Sequence, residues 1–176
     1  MREHFLLDTG LLLDFFVLQY MAEARREWPD KTFEFQALRT QIDREDFQKF
    51  VRANRGHLGT SSGVVTEVHR FLQRAERGCE WRLRNDLRQR FWRLVRTTFR
   101  DLELTERAVP LIEVAEEVLI AHGPVDAALF ELARRSIRHQ VVVLLTADSK
   151  LLELCKRHEL QAEYIQDRLR KFRETV

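Results

Sequence analysis

Apolar residues come in two kinds of run along this chain. Residues 4–8, HFLLD, are short, apolar and stopped by Asp8 and Gly10, and residues 141–145, VVVLL, end at Thr146-Ala147-Asp148. Runs this short and this continuous read as strands buried on both faces. Longer stretches show helical spacing instead. Residues 11–27 start apolar, turn polar, and are broken at Trp28-Pro29-Asp30. Residues 31–56 are charged and read as helical, with Asp43 as an N-cap and Asn54-Arg55-Gly56 as the stop. Leu58–Ser61 suggests a short strand. From Gly63 to about Gly78, Val64, Val68, Phe71 and Leu72 mark one helix face.

Residues 80–100 form a strongly amphipathic pattern, with Leu83, Leu87, Phe91, Leu94 and Val95 as the apolar stripe. A short strand is expected within 101–109, then a helix from near Pro110 to His122-Gly123. Pro124 opens another helix, PVDAALFELARRSIRH. After the strand at 141–145, Thr146-Ala147-Asp148 leads directly into a helix. A last strand near 162–165 precedes a basic tail at about 166–176. Strands alternating with helices predict a single α/β domain over 1–176, with a mainly parallel central sheet of about five strands and helices on both sides. The helical segment at about 29–56 is an extension of it.

Composition adds little beyond solubility: 44% hydrophobic, 33% charged, net charge +2. The N-terminal apolar stretch has the outline of a signal peptide. However, Asp8 and Asp14 interrupt it, and each aspartate costs about 2.5 to 3.5 kcal/mol at the centre of an inserted helix. No segment offers the ~20 apolar residues of a membrane span. Cys79 and Cys155 form no CxxC pair, so reduced thiols and a cytoplasmic location are expected.

Chemistry enters through four acids. In an open parallel sheet the functional crevice lies at the carboxyl ends of the strands. Asp8 and Asp148 end strands there, Glu67 falls in the helix after a strand, and Asp126 opens a helix that can dock at the same edge. Crowded carboxylates repel and raise one another's pKa. A hard divalent cation such as Mg²⁺ resolves the repulsion and activates water for phosphodiester hydrolysis. Each acid also has a plainer reading. Asp148 suits an N-cap, Asp126 a helix-dipole position, Glu67 a solvated face, and Asp8 a loop start.

Four segments in order resemble the PIN-domain family, which includes the VapC-type toxin ribonucleases. They are LLDTGLLL, TSSGVVTEV, GPVDAALFELA and LLTADSKLLELC, spanning residues 5–155. The resemblance implies a PIN-like three-layer fold and Mg²⁺- or Mn²⁺-dependent endoribonuclease activity. By motif position, Asp8, Glu67, Asp126 and Asp148 would be the metal-binding catalytic acids, with Thr146 as an accessory hydroxyl. It also implies a homodimer and inhibition by a small antitoxin protein. Residues 29–56 are longer than the family's usual link, and the helix at 82–100 is unusually basic.

That helix carries Arg82, Arg84, Arg88, Arg90, Arg93, Arg96 and Arg100 against Asp86 alone. Arg82, Arg88 and Arg96 are candidate RNA contacts; the alternative is a solvated face paired with acids from 101–117. Residues 11–21 are apolar enough that core packing is expected to leave a share for a dimer or antitoxin groove. The six histidines lack zinc spacing, and no GxSxG elbow, Walker loop or GxGxxG occurs. A non-catalytic PIN-like module binding RNA or protein is the alternative function.

Overall fold

A computed structural model describes residues 2–27, 43–75, 81–135 and 140–175. The expected break at 28–30, the helical reading of 31–42, the helix end at Gly78, Cys79 and the end of the helix at 136–139 lie outside them.

The first strand, β1 (Arg2–Leu7), leads through Asp8 into α1 (Thr9–Glu27). Next come α2 (Arg44–Ala53), β2 (Leu58–Ser61), α3 (Ser62–Ala75), α4 (Trp81–Asp101) and β3 (Thr105–Arg107). A 3₁₀ turn at Leu111–Glu113 precedes α5 (Glu116–Arg134). The chain closes with β4 (Gln140–Thr146), α6 (Ser149–Arg157), β5 (Ala162–Tyr164) and α7 (Ile165–Thr175). The five strands form one sheet in the order β3-β2-β1-β4-β5, and every neighbouring pair is parallel. The protein is therefore an α/β fold with helices flanking a parallel sheet.

Position in this sheet explains the unbroken apolar runs. Strands β1 and β4 lie side by side in the middle, with Leu6 opposite Leu144 and Leu7 opposite Leu145. Phe5, Leu6, Leu7, Val143, Leu144 and Leu145 are all buried. A strand covered on both faces has no solvent side to be polar.

One group of helices is tied by aromatic contacts. Phe15 of α1 meets Phe47 of α2, Phe16 meets Phe91 of α4, and Phe50 of α2 meets Phe172 of α7. Helices α5 and α6 pack on each other and on β4, while α3 touches both α1 and α5. In α1 the apolar surplus goes to the core: Leu11, Leu12, Phe15, Phe16 and Tyr20 are all buried. Leu13 is partly buried against that core, and the side chains of Val17, Leu18 and Met21, on which the expected groove also depends, lie outside the described residues. Among the described residues, the exposed large aliphatic side chains are Leu111, Ile112 and Ile120.

Two expectations change. The helix predicted to start near Pro110 begins at Glu116, because Val114 and Ala115 are extended after the 3₁₀ turn. The basic tail is helix α7. Its Leu169 is buried, its Arg168 guanidinium sits 4.5 Å from the centre of the Phe5 ring, and Arg168 also pairs with Glu3. Such a contact contributes about 0.5 to 2 kcal/mol, so the positive charge serves docking as well as solubility. Of the segment at 29–56, α2 is the described part. Asp43 caps it, accepting from the N–H groups of Glu45 and Asp46 as its position before DFQKFV implied.

Candidate active site at the carboxyl edge of the sheet

The strand order has a consequence for where a ligand sits. From β1 the chain builds outward to β2 and β3, then returns to the other side of β1 for β4 and β5. The direction reverses between β1 and β4, and a crevice opens at such a switch point, beyond the carboxyl ends of the strands. Asp8 and Asp148 follow those two strands.

Asp8 is anchored from both sides. Its N–H donates to the Leu145 carbonyl of β4 at 3.2 Å, and its own carbonyl accepts the first α1 bond from Leu12 N–H at 3.2 Å. The side chain is only 8% exposed. Thr146 Oγ1 donates to Asp8 Oδ2 at 2.7 Å, and the same oxygen accepts from Asp148 N–H at 2.8 Å. One buried hydroxyl thus couples the first and fourth acidic positions. On the other flank, Thr60 Oγ1 donates to the Leu7 carbonyl at 2.9 Å.

Asp148 is exposed and caps α6: its Oδ1 accepts from Lys150 N–H at 2.7 Å and from Leu151 N–H at 3.3 Å. The plain capping role foreseen for it is therefore present. Asp126 reaches the edge through a kink. Gly123 takes φ 80° and ψ 171°, a conformation suited to glycine. Pro124 restarts the helix, and Asp126 lies in its new first turn, half-buried, where helix-dipole charge favours an acid. Because α5 packs on β2 and β4, the strands on either side of β1, Asp126 is carried to the middle of the sheet edge.

Glu67 lies in the second turn of α3, also half-buried. The start of α3 is fixed by Ser61 Oγ, which accepts from Val64 N–H at 3.4 Å. A close approach at Gly63 joins this helix to α5. A Cβ there would lie 3.3 Å from Val125 Cγ2 and 3.6 Å from Val125 Cα. Glycine therefore lets the beginning of α3 rest on the residue before Asp126.

Two of the four acids, Asp8 and Asp126, are shifted by burial and by their acidic neighbours. Burial raises the pKa of Asp8; the hydrogen bonds from Thr146 and from Thr9 N–H oppose it, and the charges of Asp148 and Glu67 add to it. Asp126 is pushed up to about 7, first by burial and then by Asp8, Asp148 and Glu67. Among the described residues, every charged group acting on these two carboxyls is another carboxylate. Nearby, burial and the charge of Asp126 raise the Cys155 thiol to about 12, so Cys155 is a protonated core residue.

The donor set suits a hard divalent cation: carboxylate oxygens with no counter-charge among the described residues, beside a buried Thr9 hydroxyl that lacks a hydrogen-bond partner. Among the described residues, no three His, Cys, Asp or Glu side chains converge as a preformed metal-binding group. Closing the acids around an ion would require side-chain adjustment. Thr9, Thr60, Ser61 and Gly63 carried no assigned role in the sequence reading. Their signal was present, since small or hydroxyl-bearing residues flank strand ends beside acidic positions.

Arginines of the basic helix pair within α4 and at its end. Arg90 pairs with Asp86, and Arg100 with Asp101. Glu103 and Glu113 are engaged by Arg55 and Arg135 instead. Arg88 and Arg96 are exposed, while the Arg82 side chain lies outside the described residues. No described helix is long and apolar enough to cross a membrane. No family model matches the chain, and no curated protein is significantly similar to it.

Proposed function

We propose that the protein is a PIN-like, metal-dependent endoribonuclease, with Asp8, Glu67, Asp126 and Asp148 as ligands for Mg²⁺ or Mn²⁺. One observation carries the reading: at the switch point of a parallel sheet, burial and then the charges of Asp8, Asp148 and Glu67 push Asp126 up to about 7, and among the described residues no cation acts on it. Carboxylates held together in this way are stabilised by a divalent ion and strained without one. The ion, when bound, supplies an acidified water and charge stabilisation for a phosphodiester.

The chain's own residues supply the positioning. Thr146 fixes Asp8 Oδ2 and the Asp148 backbone with a single hydroxyl. The ladder bond to Leu145 keeps Asp8 on a rigid element, which holds a ligand better than a loop does. Asp126, titrating near neutrality when metal-free, would release its proton as the site fills. Toxin activity, a small antitoxin and a cytoplasmic homodimer extend this proposal by the family resemblance.

The test is cleavage of a mixed structured RNA pool in Mg²⁺, Mn²⁺ or EDTA by wild type, Asp8→Asn and Asp126→Asn. Metal-dependent cutting by wild type, lost in both variants, is the expected result. Cutting that persists in EDTA, or in both variants, would remove the acidic edge as the active site.

A further inference from the structure

The outward face of α4 supports a second reading, resting on the ribonuclease proposal for its substrate class. A groove of about 540 Å³ runs along it, lined among the described residues by Gln89, Trp92, Arg93, Arg96, Thr97 and Arg100. These positions recur at helical spacing opposite the buried stripe of Phe91, Val95 and Thr98. Arg100 is engaged by Asp101. Among the described residues, Arg93 and Arg96 have no carboxylate partner, and both are exposed. Trp92 is half-buried, packed edge-on to Phe91 and tilted over His69 of α3, with ring centres 5.6 Å apart.

We propose that this groove is a docking track for single-stranded RNA, in which Arg93 and Arg96 engage successive phosphates and Trp92 offers a ring for base stacking. Unpaired guanidiniums beside a fixed aromatic ring are the two components of sequence-tolerant single-strand binding. Guanidinium also matches phosphate geometry bidentately. Gln89 and Thr97 add neutral polar groups that reach sugar or base edges. A protein partner is less well matched. A helix or peptide seated in a groove needs aliphatic or aromatic anchors, yet among the described residues the lining holds one aromatic side chain and no aliphatic one. The exposed aliphatic side chains Leu111, Ile112 and Ile120 lie on the 3₁₀ turn and α5 instead.

The test separates binding from cleavage. Fluorescence anisotropy would follow a labelled single-stranded RNA of mixed sequence on the Asp8→Asn protein in EDTA, alone and combined with Arg93→Glu/Arg96→Glu. The charge reversals are expected to weaken binding at least about tenfold. They should also flatten the dependence of log affinity on log salt by about 1.4, the value for two lost phosphate contacts on a single strand. Trp92→Leu should weaken binding by about five- to a hundredfold while leaving the salt dependence unchanged. Circular dichroism melts establish that the charge variants fold. Equal affinity and an equal salt slope in the charge-reversed protein would overturn the proposal. So would loss of poly-glutamate binding with RNA binding intact, which would assign the face to an acidic protein. Because no arm of the experiment requires turnover, failure of the nuclease reading leaves this result interpretable.

Discussion

Replacing Asp126 by Asn should make the metal-free protein more stable, and increasingly so as pH rises. In the folded protein this carboxyl holds its proton to about pH 7, whereas its ordinary value is 3.8. Between those limits the folded state binds more protons than the unfolded one, so stability falls with rising pH and levels off above about 7. The full span corresponds to roughly 4 kcal/mol at 1.36 kcal/mol per pH unit. Asp126 is half-buried, and solvent screening reduces this to about 2 kcal/mol. Between pH 5 and pH 8 the wild type should lose about 1.4 kcal/mol more than Asp126→Asn on the same discount. Urea denaturation in EDTA reads this as a midpoint difference of about 0.7 M for a slope near 2 kcal/mol per M. Asn retains the shape of the side chain and removes the charge. Using the difference between the two proteins cancels the other titrating groups. Saturating Mg²⁺ at pH 8 should raise the wild-type midpoint and leave that of the variant almost unmoved. Parallel pH curves for the two proteins in EDTA would show that the acids do not strain one another, and the argument for a metal would lose its footing.

Two further substitutions test how the site is held. Thr146→Val removes both the donor to buried Asp8 and the acceptor for Asp148 N–H. It should cost about 1 to 3 kcal/mol in urea denaturation, with Thr146→Ser restoring most of it. Gly63→Val forces α3 away from Val125; it should destabilise by about 1 to 3 kcal/mol and lower Mg²⁺ affinity in a calorimetric titration several-fold, whereas unchanged affinity would separate Glu67 from the site.

The parts of this protein that could be read from its sequence are those governed by local chemistry. Strands β1 and β4 are visible because central strands of a parallel sheet have no polar face, and α2 because Asp43 has the side chain its first turn requires. The amphipathic stripe of α4 predicts the burial of Phe91 and Val95. The region before α5 was harder, since Leu111, Ile112 and Ile120 have core composition yet face solvent. A periodicity argument has no means of separating such residues from a buried face. Helix α7 was hidden for the opposite reason: its many charges suggested a tail, while Leu169, Phe172 and the Arg168 guanidinium against Phe5 do the packing.

The site divides along the same line. That Asp8 and Asp148 end strands is local information. That they are linked through one hydroxyl is not, because the Thr146–Asp8 bond spans 138 residues and exists only once β4 has inserted beside β1. Asp126 and Glu67 depend still more on tertiary structure. Their approach requires a left-handed glycine at 123, a proline restart and a contact at Gly63 that tolerates no larger side chain without displacement. Each of these features has a packing explanation taken alone. Packing does not require that all of them deliver carboxylates to one edge, where the charges of Glu67 and Asp148 add to the burial that makes Asp8 and Asp126 harder to ionise. A fold selected only for stability would place a lysine or arginine among them. Among the described residues no such cation acts on Asp8 or Asp126, and that is what makes the edge a functional candidate rather than a surface of assorted caps.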